Sequence, residues 1–133
     1  MVLRKYLAKL LFSFVLISPF SQTQASIPED VQFGLASFYA DRFHGRRTAS
    51  GERYNKNHLT TVHAHYPFGT VLRVTNLNNQ RSVELRVNDR TRLPRGRLLD
   101  VSKRAASELG FIAAGVARVK VEVLHFGASR RNG

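Results

Sequence analysis

The sequence predicts a single, mainly β domain lying behind an export leader. Three observations carry this. Much of the chain falls into short runs in which apolar and polar residues alternate. Only one segment has the start and stop signals of a helix. And 133 residues, 43% of them hydrophobic and none of them cysteine, suffice for one core held by packing alone.

Taken in order, FGLASFY at 33–39 is an aromatic and aliphatic run bounded by charge, the composition of a strand. TVLRVT at 70–75 alternates, with Leu72 and Val74 facing away from Val71 and Arg73. LNNQR at 77–81 is a turn, because asparagine tolerates left-handed backbone and bonds its own main chain. SVELRVN at 82–88 alternates again, with Val83, Leu85 and Val87 on the core face. The helix spans 103–109: Ser102 can cap its N-terminus and Gly110 can end it in a left-handed conformation. Ala105, Ala106 and Leu109 form its apolar stripe. ARVKVEVLHF at 117–126 is the last strand, with Val119, Val121 and Val123 inward.

The N-terminus has the layout of a signal peptide. Arg4, Lys5 and Lys9 precede the apolar stretch LLFSFVLISPF, and SQTQA follows with small residues at Thr23 and Ala25. The apolar stretch is about half the ~20 residues a transmembrane helix requires. The expected organisation is therefore a signal peptide over 1–25, a linker over 26–32, the β domain over 33–127 and a basic tail over 128–133. The expected location is the periplasm or cell wall. With no cysteine to accept lipid, a lipoprotein anchor is not expected.

Setting the leader aside leaves 18 basic residues against 9 acidic ones. Such a field draws polyanions: nucleic acid, anionic lipid, or a wall polymer bearing carboxylates. Export argues against nucleic acid, and no basic helix or aromatic-interleaved basic motif is present. A His-x-His pair, His63 and His65, would point both rings to one face if it lay on a strand. No further ordered ligand spacing accompanies it, so neither metal nor other cofactor is expected.

Four segments in this order carry a resemblance: GLASFYADRFHGRRTASGERY, LTTVHAHYPFGTVLRVTNLNN, SVELRVNDR and GRLLDVSKRAASELG. The resemblance runs over nearly all of Gly34–Phe126, about seventy per cent of the chain. Over this span it resembles the RlpA (rare lipoprotein A) family. The resemblance implies a six-stranded double-psi β-barrel with one or two short helices and a groove on one side. It implies endolytic lytic transglycosylation of peptidoglycan: cleavage of the MurNAc–GlcNAc β-1,4 bond, with closure of the MurNAc 6-hydroxyl onto C1 to leave a 1,6-anhydro end. It also implies a preference for glycan strands stripped of stem peptides, a role in daughter-cell separation, and septal wall machinery as partner.

By the same resemblance the catalytic candidates are Glu52 after the TASG loop, His63 of the LTxxH segment and Asp89 of the NDR segment. Two departures stand out: Thr91 and Arg92 replace the family's usual Gly-Pro, and His65 is an added histidine.

Glycoside cleavage needs an acid that protonates the leaving oxygen. Asp89 ends the strand whose core face is Val83, Leu85 and Val87, so its carboxyl is expected at a barrel rim, partly desolvated. Glu52 is expected as a neighbouring carboxylate that resists joint ionisation with it. Tyr39, Thr48 and Asn88 are expected to contact substrate, Tyr39 with a flat face and polar tip and the others by hydrogen bonds to hydroxyls. The alternative reading is a non-catalytic, expansin- or barwin-like module that binds peptidoglycan or another carbohydrate.

Overall fold

A computed structural model describes residues 30–128, together with 13–16 and 19. The leader expectation otherwise falls outside the described residues, as does the tail beyond 128. The order of elements is β1 (Val31–Phe38), a 3-10 turn (Asp41–Phe43), β2 (Thr60–His63), β3 (Val71–Asn76), β4 (Ser82–Asp89), β5 (Arg97–Val101), α1 (Lys103–Leu109) and β6 (Ala117–His125). β1 begins at Val31, so the expected linker gives its last two residues to the first strand.

The six strands close into a barrel in the order β1-β5-β2-β4-β3-β6. β1 pairs with β5 in parallel, as does β2 with β4, and the remaining pairs are antiparallel. Closure leaves no unpaired sheet edge. The interior is filled by the expected alternating residues: Leu72 and Val74 of β3, Val83, Leu85 and Val87 of β4, and Val119 and Val121 of β6. To these β5 adds Leu99 and Val101. Ala105, Ala106 and Leu109 of α1 pack on the same cluster.

Periodicity alone does not reveal β2 or β5. All four residues of β2 are buried, so no polar alternation marks it, and β5 is only five residues long.

Candidate functional site

Strand register builds the site. In the β2–β4 pair, Thr61 faces Val87 and Val62 faces Asp89, so Asn88 is skipped. A bulge of this kind turns the side chains beyond it to the other face of the sheet. Asp89 therefore leaves the face of Val83, Leu85 and Val87, on which the sequence pattern puts it, and joins Val62 on the outer face of the barrel wall. There it is half-buried and lines a groove of about 610 Å³ with Tyr39, Phe43, Thr48, Tyr54 and Asp100, a size suited to a small-molecule or sugar site.

Three donors orient the Asp89 carboxylate. The Tyr39 hydroxyl donates to Oδ2. The amide of Ala49 donates to Oδ1 at 2.9 Å and that of Arg90 at 2.8 Å. Tyr39 is itself fixed by stacking on Tyr54, with ring centroids 4.2 Å apart, and by an edge contact with Phe43. Burial, then the hydrogen bond and charge of Asp89, push the Tyr39 phenol well above its usual range, so it stays a donor. Tyr39 thus lines the groove with its polar tip committed to Asp89.

Thr48 also lines the groove, although it is 8% exposed. Its hydroxyl donates to the Glu52 carbonyl at 2.8 Å and contacts Ser50 Oγ at 2.9 Å, closing the 48–52 loop. Gly51 takes a φ of 92° in that loop, a left-handed turn that suits glycine.

Glu52 lies on the other side of this loop. It lines a second depression with Phe68, Arg86 and Arg90. Its carboxylate receives two hydrogen bonds from the Arg86 guanidinium, at 2.8 and 2.9 Å, and one from Asn88 at 3.2 Å. Arg86 above all, aided by Asn88 and opposed by partial burial, holds the Glu52 carboxyl below the usual carboxylate range. The expected pairing of Glu52 with Asp89 is not what this geometry builds: the Glu52 charge is matched by Arg86.

Asn88 is 2% exposed, with its amide turned to Glu52. From beneath the surface it braces the Glu52 carboxylate and does not line the groove.

His63 is 3% exposed. It follows Val62 on β2 and pairs across to Leu99, a core residue, so its ring takes the opposite face of the strand from Asp89. Nδ1 accepts the amides of His65 and Tyr66 at 3.0 and 2.9 Å. Nε2 lies 3.4 Å from the side-chain amide oxygen Oε1 of Gln32, and the ring stacks on Tyr66 at 3.8 Å. Burial, then the charges of His65 and Arg90, lower its pKa to about 4, which leaves the ring neutral at pH 7.

β2 stops at His63, and the chain bends over 64–66, so the strand geometry that would align His63 with His65 is absent. Among the described residues, no three His, Cys, Asp or Glu side chains gather as metal ligands.

Among the groove residues without a role expected from sequence are Ser37 and Asp100. Leu99 and Val101 are core residues, so Asp100 between them faces outward, a placement that depends on β5, which periodicity alone does not reveal.

Residues 31–121 match a family model described as lytic transglycolase. The endolytic peptidoglycan transglycosylase RlpA of Campylobacter jejuni is 51% identical over 96 residues, which cover 72% of this chain and 35% of that protein. The protein of the same name from Neisseria meningitidis serogroup A is 48% identical over 103 residues, covering 77% of this chain and 43% of its own. The chain thus matches well under half the length of these relatives. Among solved structures, a Clavibacter michiganensis expansin aligns with a TM-score of 0.57 at 21% identity, covering 74% of this chain and 52% of its own. A Streptomyces papain inhibitor aligns at 0.56 and 19%, covering 74% and 99%. At such identity the likeness is one of fold, the double-psi barrel.

Proposed function

Since this chain belongs to the RlpA-type lytic transglycolase family, we propose that it is an exported endolytic peptidoglycan lytic transglycosylase acting on peptide-stripped glycan. The single observation that carries the reading is Asp89, a half-buried carboxylate aimed into an open groove by one phenol and two backbone amides.

In the proposed reaction, Asp89 in its protonated form gives a proton to the oxygen linking MurNAc C1 to GlcNAc. The C1–O bond breaks and leaves an oxocarbenium-like centre. The Asp89 carboxylate then takes the proton of the MurNAc 6-hydroxyl as O6 bonds to C1. The product is a 1,6-anhydro ring, and no water is consumed. The nucleophile belongs to the substrate, so its attack gains from proximity. Tyr39 holds Asp89 in line and offers its ring edge to the sugar. Glu52 anchors the 48–52 loop that walls the groove and presents charge to a neighbouring sugar. His63 fixes the 64–66 bend, and through it Arg90, whose guanidinium donates to the Tyr66 carbonyl. Release into the periplasm or wall, and action alongside septal machinery, complete the proposal.

The test is the sugar released from amidase-stripped sacculi, identified by mass. Anhydro-ended products are expected, and Asp89→Asn should lower their rate about 100- to 10,000-fold. Reducing-end products alone would mean hydrolysis. Saturable binding without any product, unchanged in Asp89→Asn, would select the non-catalytic binding module.

A further inference from the structure

Register places four residues in one row across the barrel wall. Ser37 of β1 pairs with Asp100 of β5, Asp100 with Val62 of β2, and Val62 with Asp89 of β4. All four line the same groove. Residues in such a row project to the same face, so Asp89 and Asp100 stand on either side of a floor made by Val62. Two interstrand spacings put their Cα atoms about 9–10 Å apart, a span that leaves room for a sugar ring between the carboxyl groups.

Glu52, the other acid expected in the site, opens onto the neighbouring depression and is matched by Arg86. Within the groove itself, Asp100 is the carboxylate that faces Asp89 across the floor.

We infer that Asp100 is the second carboxylate of the catalytic groove and lies against the sugar that Asp89 protonates, stabilising positive charge as it develops at C1. This rests on the transglycosylase reading.

Its surroundings fit an oriented charge rather than a proton carrier. Oδ1 accepts the Ser37 hydroxyl and lies 3.0 Å from Arg97 Nε. Oδ2 has a single 3.4 Å contact, from Arg97 Nη2, and so keeps acceptor capacity toward the groove. The side chain is 19% exposed, enough for a ligand to touch it and little enough for its charge to act at low screening. The Asp100 charge also reaches Tyr39, where it adds to the larger effects of burial and of Asp89 in raising the phenol. Proton traffic stays as described: Asp89 gives a proton to the leaving oxygen and recovers one from the 6-hydroxyl, while Asp100 neither gains nor loses one.

The experiment compares Asp100→Asn and Asp100→Glu with wild type in the full chain, on amidase-stripped sacculi, with kcat, KM and Tm read separately. The expected result for Asp100→Asn is a kcat lowered roughly 100-fold with KM changed by less than about threefold. Asp100→Glu keeps the charge and the Arg97 partner but displaces the oxygens. It should fold like wild type and still lose roughly tenfold in kcat, which a purely structural ion pair would not require. If the Asn variant fails to fold, the Glu variant decides. Wild-type kcat in a folded Asp100→Asn, or in Asp100→Glu where that variant decides, overturns the inference and leaves the transglycosylase reading standing. A wild-type protein that releases no anhydro sugar overturns both.

Discussion

His63 illustrates how one side chain links packing to pH. Both ring nitrogens are committed, Nδ1 as acceptor from two amides and Nε2 toward Gln32. Protonating Nδ1 would turn that acceptor into a donor facing two N–H groups. Burial above all, then the charges of His65 and Arg90, keeps the ring neutral in the folded chain, and its pKa falls to about 4 from an ordinary value of 6.5. The sign follows from linkage. The unfolded chain binds the proton more tightly, so the stabilisation present above pH 6.5 is lost as pH falls toward 4. Between pH 7 and 4.5 this amounts to about 2–3 kcal/mol. An asparagine at 63 can offer an acceptor to the same amides without titrating. His63→Asn should lose some stability at pH 7, yet its Tm should fall less steeply than wild type between pH 7 and 4.5. Parallel Tm–pH curves for the two proteins would contradict this account of the ring.

At the scale of elements, α1 shows local signals and tertiary demands in agreement. Ser102 is wholly buried. Its Oγ accepts from the Ala105 amide at 3.2 Å while its hydroxyl donates to the His58 carbonyl. At the other end Gly110 takes a φ of 77°, and the Leu109 carbonyl accepts from the side-chain amides of both Asn76 and Asn79. Ser102→Ala removes the cap and strands a carbonyl in the same step, so it should cost about 2–3 kcal/mol. In a domain of this size that lowers Tm by roughly 10–20 °C, measurable by calorimetry; a fall under 3 °C would show the cap to be incidental. The caps of α1 are legible in sequence because they depend on neighbours in the chain. So are β3, β4 and β6, whose faces divide core from solvent. β2 is not, because Thr60, Thr61, Val62 and His63 are all buried. The position of Asp89 on β4 is legible from its motif, but its face is not. Nothing local marks Asn88 as the residue that the β2 pairing skips, and that bulge sends Asp89 outward and brings it into one row with Asp100.

Across the whole molecule, closure of the barrel determines which charges line the groove. The full sequence carries a net charge of +12. Part of that excess rims the groove: Arg46 and Arg47 line it, and Arg42 and Arg46 lie over the Phe43 ring at 4.8 and 5.3 Å. A glycan strand stripped of its peptides exposes a lactyl carboxylate on each MurNAc; if this is the substrate, as proposed, the basic rim should attract it over distance while the groove selects it by contact. Long-range attraction is screened by salt. Raising ionic strength from about 0.05 to 0.5 M shortens the Debye length from roughly 14 to 4 Å. Half-saturating concentrations on stripped sacculi should therefore rise at least tenfold over that range. The rate at saturation should stay within about twofold, because the Asp89 contacts form inside the groove, where screening is weak. An uncharged chito-oligosaccharide serves as the control, since it has no carboxylate for the rim to attract. If its binding proved as salt-sensitive as that of the anionic glycan, the basic rim would have no part in recognition.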